Sequence, residues 1–127
     1  MFRSILFPIT TNPETFKAAV HAIKLSKIYG SQLIILSVRQ NKNSQMDNVN
    51  ANSLIIEQIK KEIQKTTLTY KVISKKGAMD TVICDTAKRL NIDLIMLQAK
   101  GLNLNTDRQS QSFRIIELAP CPVYVFP

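Results

Sequence analysis

Residues 33–38 read LIILSV, five apolar side chains around a single serine. A strand that shows one face to water alternates apolar with polar residues. A run that lacks this alternation is buried on both faces, as in a parallel sheet covered by helices above and below. The same reading applies to Ile5-Leu6-Phe7-Pro8-Ile9, to Leu94-Ile95-Met96-Leu97 and to Val123-Tyr124-Val125-Phe126. Leu68-Thr69-Tyr70-Lys71-Val72 does alternate, which predicts a strand near an edge with one face exposed.

Helical patterns fill the intervals. Phe16, Val20 and Ile23 make one face of a first helix, with Asn12 as its N-cap, Pro13 in the first turn and Gly30 as its stop. Ile56, Ile59 and Ile63 stripe a second helix, and Lys60, Lys61 and Glu62 are expected to face water. A third covers roughly Met79 to Leu90, with Ile83, Ala87 and Leu90 inward. A shorter fourth covers about Arg108 to Leu118 and uses Phe113 and Ile116. Residues 39–53, RQNKNSQMDNVNANS, carry five Asn and no sustained apolar period, which predicts a long polar loop. The order is strand-helix four times over, closed by a fifth strand. Right-handed crossovers turn that order into an open, doubly wound parallel α/β sheet with helices on both faces. Ligands of such sheets bind beyond the carboxyl ends of the strands, where the winding reverses.

The chain of 127 residues suits one domain over residues 1–127, with a single core. No apolar run approaches the roughly 20 residues of a membrane span. The opening MFRSILFPIT is broken by Pro8 and lacks a small-residue cleavage site, so the expected location is the cytoplasm and no membrane partner is expected. Cys84 and Cys121 stand 37 positions apart, which fits no metal or redox spacing and predicts free thiols. Seventeen Lys and Arg against nine Asp and Glu give a net charge of +8. The basic residues are spread over many segments and aromatic content is only 6%, so a solvated exterior is expected rather than a nucleic-acid surface. His21 is the sole histidine and reads as a surface or boundary residue. Asp80 and Asp85 are expected to face water, and Cys121, between Pro120 and Pro122, has no basic partner nearby in sequence. Neither a catalytic set nor a metal site emerges, and the expectation is a protein that is not an enzyme.

ILFPIT at the first strand, a Gly-ended helix running into SQLIILSV, Gly77 before the third helix, NIDLIML and the ending APCPVYVFP together resemble the universal stress protein family. The resemblance spans nearly the whole chain. It implies the sheet order 3-2-1-4-5 and a stress-response or regulatory role. It also implies a homodimer through the last strand, Val123, Tyr124, Val125 and Phe126, beside a protein partner of unknown identity. Under that sheet order the last strand is a short, apolar, uncovered edge, which invites such pairing.

The nucleotide-binding branch of that family carries an Asp at the end of the first strand and Gly-x2-Gly-x9-Gly followed by Ser or Thr. The resemblance places Thr10 at the aspartate, Gln98 at the first glycine, Gly101 at the second and Gln109 at the third, before Ser110. Seven residues rather than nine separate Gly101 from Gln109. Glycines in a phosphate loop permit positive φ and bring backbone N–H groups close to the anion, whereas glutamines add bulk there. Thr106 and Gln109 read as a capping box, with Asp107 where a phosphate would accept the helix N-terminal donors. Against this, Lys100 and Arg108 can neutralise an anion, Ser110 and Ser112 can donate hydroxyls, and Val38 ends the second strand beside the site. The expectation is that ATP is not bound in the family's usual manner and that no cofactor is held. The alternative is an ATP- or AMP-binding sensor or weak ATPase that uses the altered loop 98–112.

Overall fold

The computed structural model describes residues 2–10, 14–39, 45–98 and 111–126, with the backbone alone for 45–51 and for 111 and 112. The elements alternate as β1 (Ser4–Pro8), α1 (Thr15–Tyr29), β2 (Gln32–Arg39), α2 (Gln45–Gln64), β3 (Tyr70–Lys76), α3 (Met79–Arg89), β4 (Leu94–Gln98), α4 (Gln111–Leu118) and β5 (Val123–Phe126). The five strands form one parallel sheet in the order β3-β2-β1-β4-β5. The alternating segment is therefore an edge strand, as expected, though it is paired from Tyr70 rather than Leu68.

Strand alternation divides the core between the two faces. Phe7, Ile35 and Met96 pack with Ala22 of α1 and Ile59 of α2 on one face. Leu6, Leu36 and Leu97 pack with Ile83 of α3 and Ile115 of α4 on the other. Burying each large aliphatic side chain of this kind stabilises by ~1.5–3 kcal/mol, which is why the central strands tolerate hardly a polar residue.

The turns that set this arrangement have specific causes. Gly30 takes the left-handed conformation at φ 64, so that Ser31 N–H reaches back to the carbonyl of Ser26 at 2.8 Å and ends α1. At Gly77, φ is 143 and an added Cβ would stand 3.0 Å from Val82 Cγ2, so only glycine fits before α3. The Asp93 carboxylate accepts the N–H groups of Arg3 and Ser4 at 2.8 and 3.1 Å, which pins the start of β1 against β4.

Five expectations need correction. The buried face of α1 is Thr15, Ala18, Ala19, Ala22, Ile23 and Ser26, with Phe16 and Val20 half-buried at its flank. This helix lies over β1, β2 and β4 in the middle of the sheet, where short side chains let the two backbones approach. The N-cap position is Glu14, without a side-chain cap bond; Asn12 and Pro13 lie outside the described residues.

The third correction concerns α2. It begins at Gln45, so the second half of the expected polar loop is helical. Asn52, Ile56, Ile59 and Ile63 share one stripe at spacings of four, three and four, and a buried Asn52 on that stripe hid the period. The fourth concerns α3, where Leu90 follows the helix and is exposed, while Asp80 is buried instead of solvated. Arg114 of α4 donates its Nε to Asp80 Oδ2 at 3.1 Å, which gives that carboxylate a reason to be there. Asp85 is exposed, as expected. The fifth concerns α4, whose inward residue is Ile115; Phe113 and Ile116 are half-exposed at 53% and 49%. The stretch 108–110 of the expected fourth helix lies outside the described residues.

Candidate functional site

The winding reverses between β1 and β4, because the chain leaves β1 toward β2 on one side and returns to β4 on the other. The carboxyl ends of those two strands are thus the expected ligand position. Thr10 follows β1 directly. It is 5% exposed, and its backbone N–H donates to Thr15 Oγ1 at 3.2 Å, which ties the strand end to the first residue of α1. Ile9 N–H bonds the Leu36 carbonyl at 2.9 Å, so the end of β1 is held on its β2 side too.

Gln98 closes β4. Alternation from Leu94 and Met96 puts its side chain on the face covered by α1 and α2. It is 2% exposed, and neither amide atom has a hydrogen-bond partner among the described residues. A buried unmet amide is costly, and each such group calls for a physical reason. Val38, at the end of β2, is buried among the side chains of the opposite face, with Leu36 and Leu97. The fold therefore brings Thr10 and Gln98 to neighbouring strand ends, and it turns the Val38 side chain away from the face that Gln98 occupies. Lys100, Gly101, Gln109 and Ser110 of the expected loop lie outside the described residues, as do Thr106, Asp107 and Arg108. Ser112 stands in the first turn of α4.

At the edge, β5 presents Tyr124 and Val125, 41% and 39% exposed. His21 is exposed on α1 and lies against this strand, with its ring centroid 5.8 Å from that of Tyr124 and 5.4 Å from that of Phe126. The Tyr124 hydroxyl is 3.4 Å from His21 Nε2. Both cysteines are free thiols. Among the described residues no cluster of three or more His, Cys, Asp or Glu could hold a metal ion, and no helix is long and apolar enough to cross a membrane.

One polar pair escaped the sequence reading. Asn52 of α2 donates its Nδ2 to Ser37 Oγ of β2 at 3.0 Å, with both residues buried. The signal was present as an asparagine four residues before Ile56 on the isoleucine stripe, but it reads as a break in the pattern until the helix is known.

Comparison with known proteins agrees with this architecture. The profile of the Universal stress protein family matches residues 1–127. The universal stress protein Sll1654 of Synechocystis sp. (strain ATCC 27184 / PCC 6803 / Kazusa) is 37% identical, over all of this chain and 87% of its own length. The universal stress protein UspA of Lactobacillus plantarum superposes with a TM-score of 0.79 at 22% identity, over 99% of this chain and 98% of its own. A universal stress protein crystallised in complex with cAMP gives a TM-score of 0.80 at 12% identity, over 98% of this chain and 96% of its own. A full-length profile match and a relative of this identity, on a sheet of the order β3-β2-β1-β4-β5, place the chain in the universal stress protein family.

Proposed function

We propose that this protein is a non-enzymatic stress-response or regulatory module of the cytoplasm whose strand-end site does not hold ATP in the family's usual manner. The observation that carries this reading is Gln98. Where the nucleotide-binding pattern has a glycine, this chain has a long side chain that is 2% exposed at the end of β4. A glycine there leaves room for backbone N–H groups to meet a phosphate, and a buried glutamine takes that room. Thr10 stands where the pattern has an aspartate, so the carboxylate that would accept hydrogen bonds from a nucleoside is missing.

A second reading draws on the same residue. The unmet Gln98 amide offers one donor and one acceptor, the pair that the edge of a purine base requires. The likeness to a protein crystallised with cAMP keeps an adenine nucleotide lacking a triphosphate in view. Isothermal titration with ATP and Mg²⁺, AMP and cAMP separates the readings. The first predicts no saturable ATP binding tighter than about 1 mM. ATP binding at about 10 µM that survives Gln98→Leu would overturn it. AMP or cAMP binding that Gln98→Leu abolishes would establish the second.

The same module is proposed to act as a homodimer joined through β5. That strand is an edge of the sheet, and Tyr124 and Val125 on it are exposed together with Phe113, Ile116 and Leu118 of the preceding α4. Exposed apolar side chains gathered on one element pair mark an interaction surface.

A further inference from the structure

A separate cavity of about 280 Å³ opens between α2 and the carboxyl ends of β2 and β3, lined by Ser37, Arg39, Asn52, Ser53, Ile56 and Ser74. It lies over β2 and β3, not at the β1 and β4 ends where Thr10 and Gln98 stand. Among the described residues its lining holds one cation, four neutral polar side chains and one apolar wall, with no carboxylate. Arg39 is exposed and makes no ion pair among the described residues, so its charge is free for a ligand.

Asn52 is the unusual member. It is 7% exposed on a stripe whose next buried positions are Ile59 and Ile63, so packing alone would favour a leucine there. Its Nδ2 is used on Ser37 Oγ, while its Oδ1 has no partner among the described residues. The terminal torsion of an asparagine is broad, so the amide can tilt Oδ1 toward a ligand while Nδ2 keeps its bond to Ser37 Oγ.

We propose that this cavity binds a small carboxylate with a hydrogen-bond donor on the adjacent carbon, an α-amino or α-hydroxy acid. The carboxylate matches the planar fork of the Arg39 guanidinium, assisted by the hydroxyls of Ser53 and Ser74. The amino or hydroxyl donor satisfies the orphaned Asn52 oxygen, and a short aliphatic side chain lies on Ile56. The volume falls just below the ~300 Å³ at which small-molecule pockets begin, which restricts the ligand to a few carbons.

Three acids with the same three-carbon skeleton, which differ only in the substituent on the α-carbon, test this on the full chain by amide chemical shifts: L-alanine, L-lactate and propionate, with inorganic phosphate as the anion control. Alanine or lactate is expected to shift Ser37, Arg39, Ser53 and Ser74 saturably, at least about tenfold tighter than propionate or phosphate. Whichever of the two binds tighter identifies the donor. Asn52→Leu should erase the advantage over propionate, and Arg39→Gln should weaken all three acids together. Arg39 is exposed, so its variant keeps the test valid even if the change at Asn52 disturbs folding. Equal affinity for propionate or phosphate, indifference to Arg39→Gln, or no shift with any acid at about 20 mM would overturn the assignment.

Discussion

The thiol of Cys84 shows how local environment sets chemistry at the scale of one residue. It is buried beneath α4, with Sγ 3.9 Å from the Ile115 carbonyl. Burial pushes its pKa up, and the carboxylates of Asp80 and Asp85 push it further. Burial and then Asp93 do the same for Cys121. A thiolate is the reactive form, so both groups are held in their unreactive state. The consequence for stability has a definite sign. A pKa raised by folding means that the unfolded chain loses its thiol proton first, from about pH 8.5. The contribution is fully present below that pH and is lost as pH rises through the folded value. Cys84→Ala is therefore expected to cost about 1 kcal/mol at neutral pH and to flatten the loss of stability on the alkaline side. Urea unfolding at pH 7 and at about pH 9.5 reads both effects, and an unchanged alkaline slope would contradict the burial account.

At the scale of the element, α2 carries the sharpest conflict between local preference and position. Asn52 occupies a core position, gains one hydrogen bond to Ser37 and leaves one acceptor unmet. The bond contributes about 1 kcal/mol, whereas the unmet oxygen costs about 1–3 kcal/mol. Leucine is nearly isosteric and adds apolar burial. It also leaves the buried Ser37 hydroxyl without this partner, so Asn52→Leu should change the stability of the free protein by less than about 1 kcal/mol in either direction, measured as the urea midpoint at constant slope. A loss of more than about 1 kcal/mol would make Asn52 a structural residue rather than one kept for a ligand. The same conflict explains what the sequence could reveal. LIILSV and LIML were legible because burial on both faces leaves no other role for such runs. The extent of α2 was not, since one buried polar residue breaks the apolar period. The inward face of α4 was misread because Phe113 and Ile116 are exposed apolar residues, and periodicity assigns any apolar side chain to a core. Asp80 was misread because its partner Arg114 sits on another helix. At the candidate site, the departures at Thr10 and Gln98 could be read only against the pattern that the family resemblance implies. The unmet state of the Gln98 amide could not, because it depends on what the fold places around it.

The whole molecule has two sheet edges, and charge distinguishes them. β3 carries Lys71, Lys75 and Lys76, all exposed, on a chain whose net charge is +8. Two such strands brought together by a twofold axis would set lysines against lysines, a common protection against edge pairing. β5 reads VYVF and has no charge to oppose its mate. Self-association should therefore use β5 and leave β3 single. A stable dimer would bury roughly 1,200–2,000 Å², more than a four-residue strand supplies, so Phe113, Ile116 and Leu118 of α4 must contribute. Val125 is the cleanest probe, because it is exposed, whereas Tyr124 also contacts His21 and Phe126 within its own chain. In sedimentation velocity the wild-type protein is expected at about twice the 14.4 kDa chain mass. Val125→Glu should return it to the single-chain mass by placing a carboxylate from each copy near the axis in a desolvated interface. Lys75→Glu on β3 should leave the dimer intact. Dimers that persist in Val125→Glu, or that dissociate in Lys75→Glu, would remove β5 as the interface and point to the opposite edge.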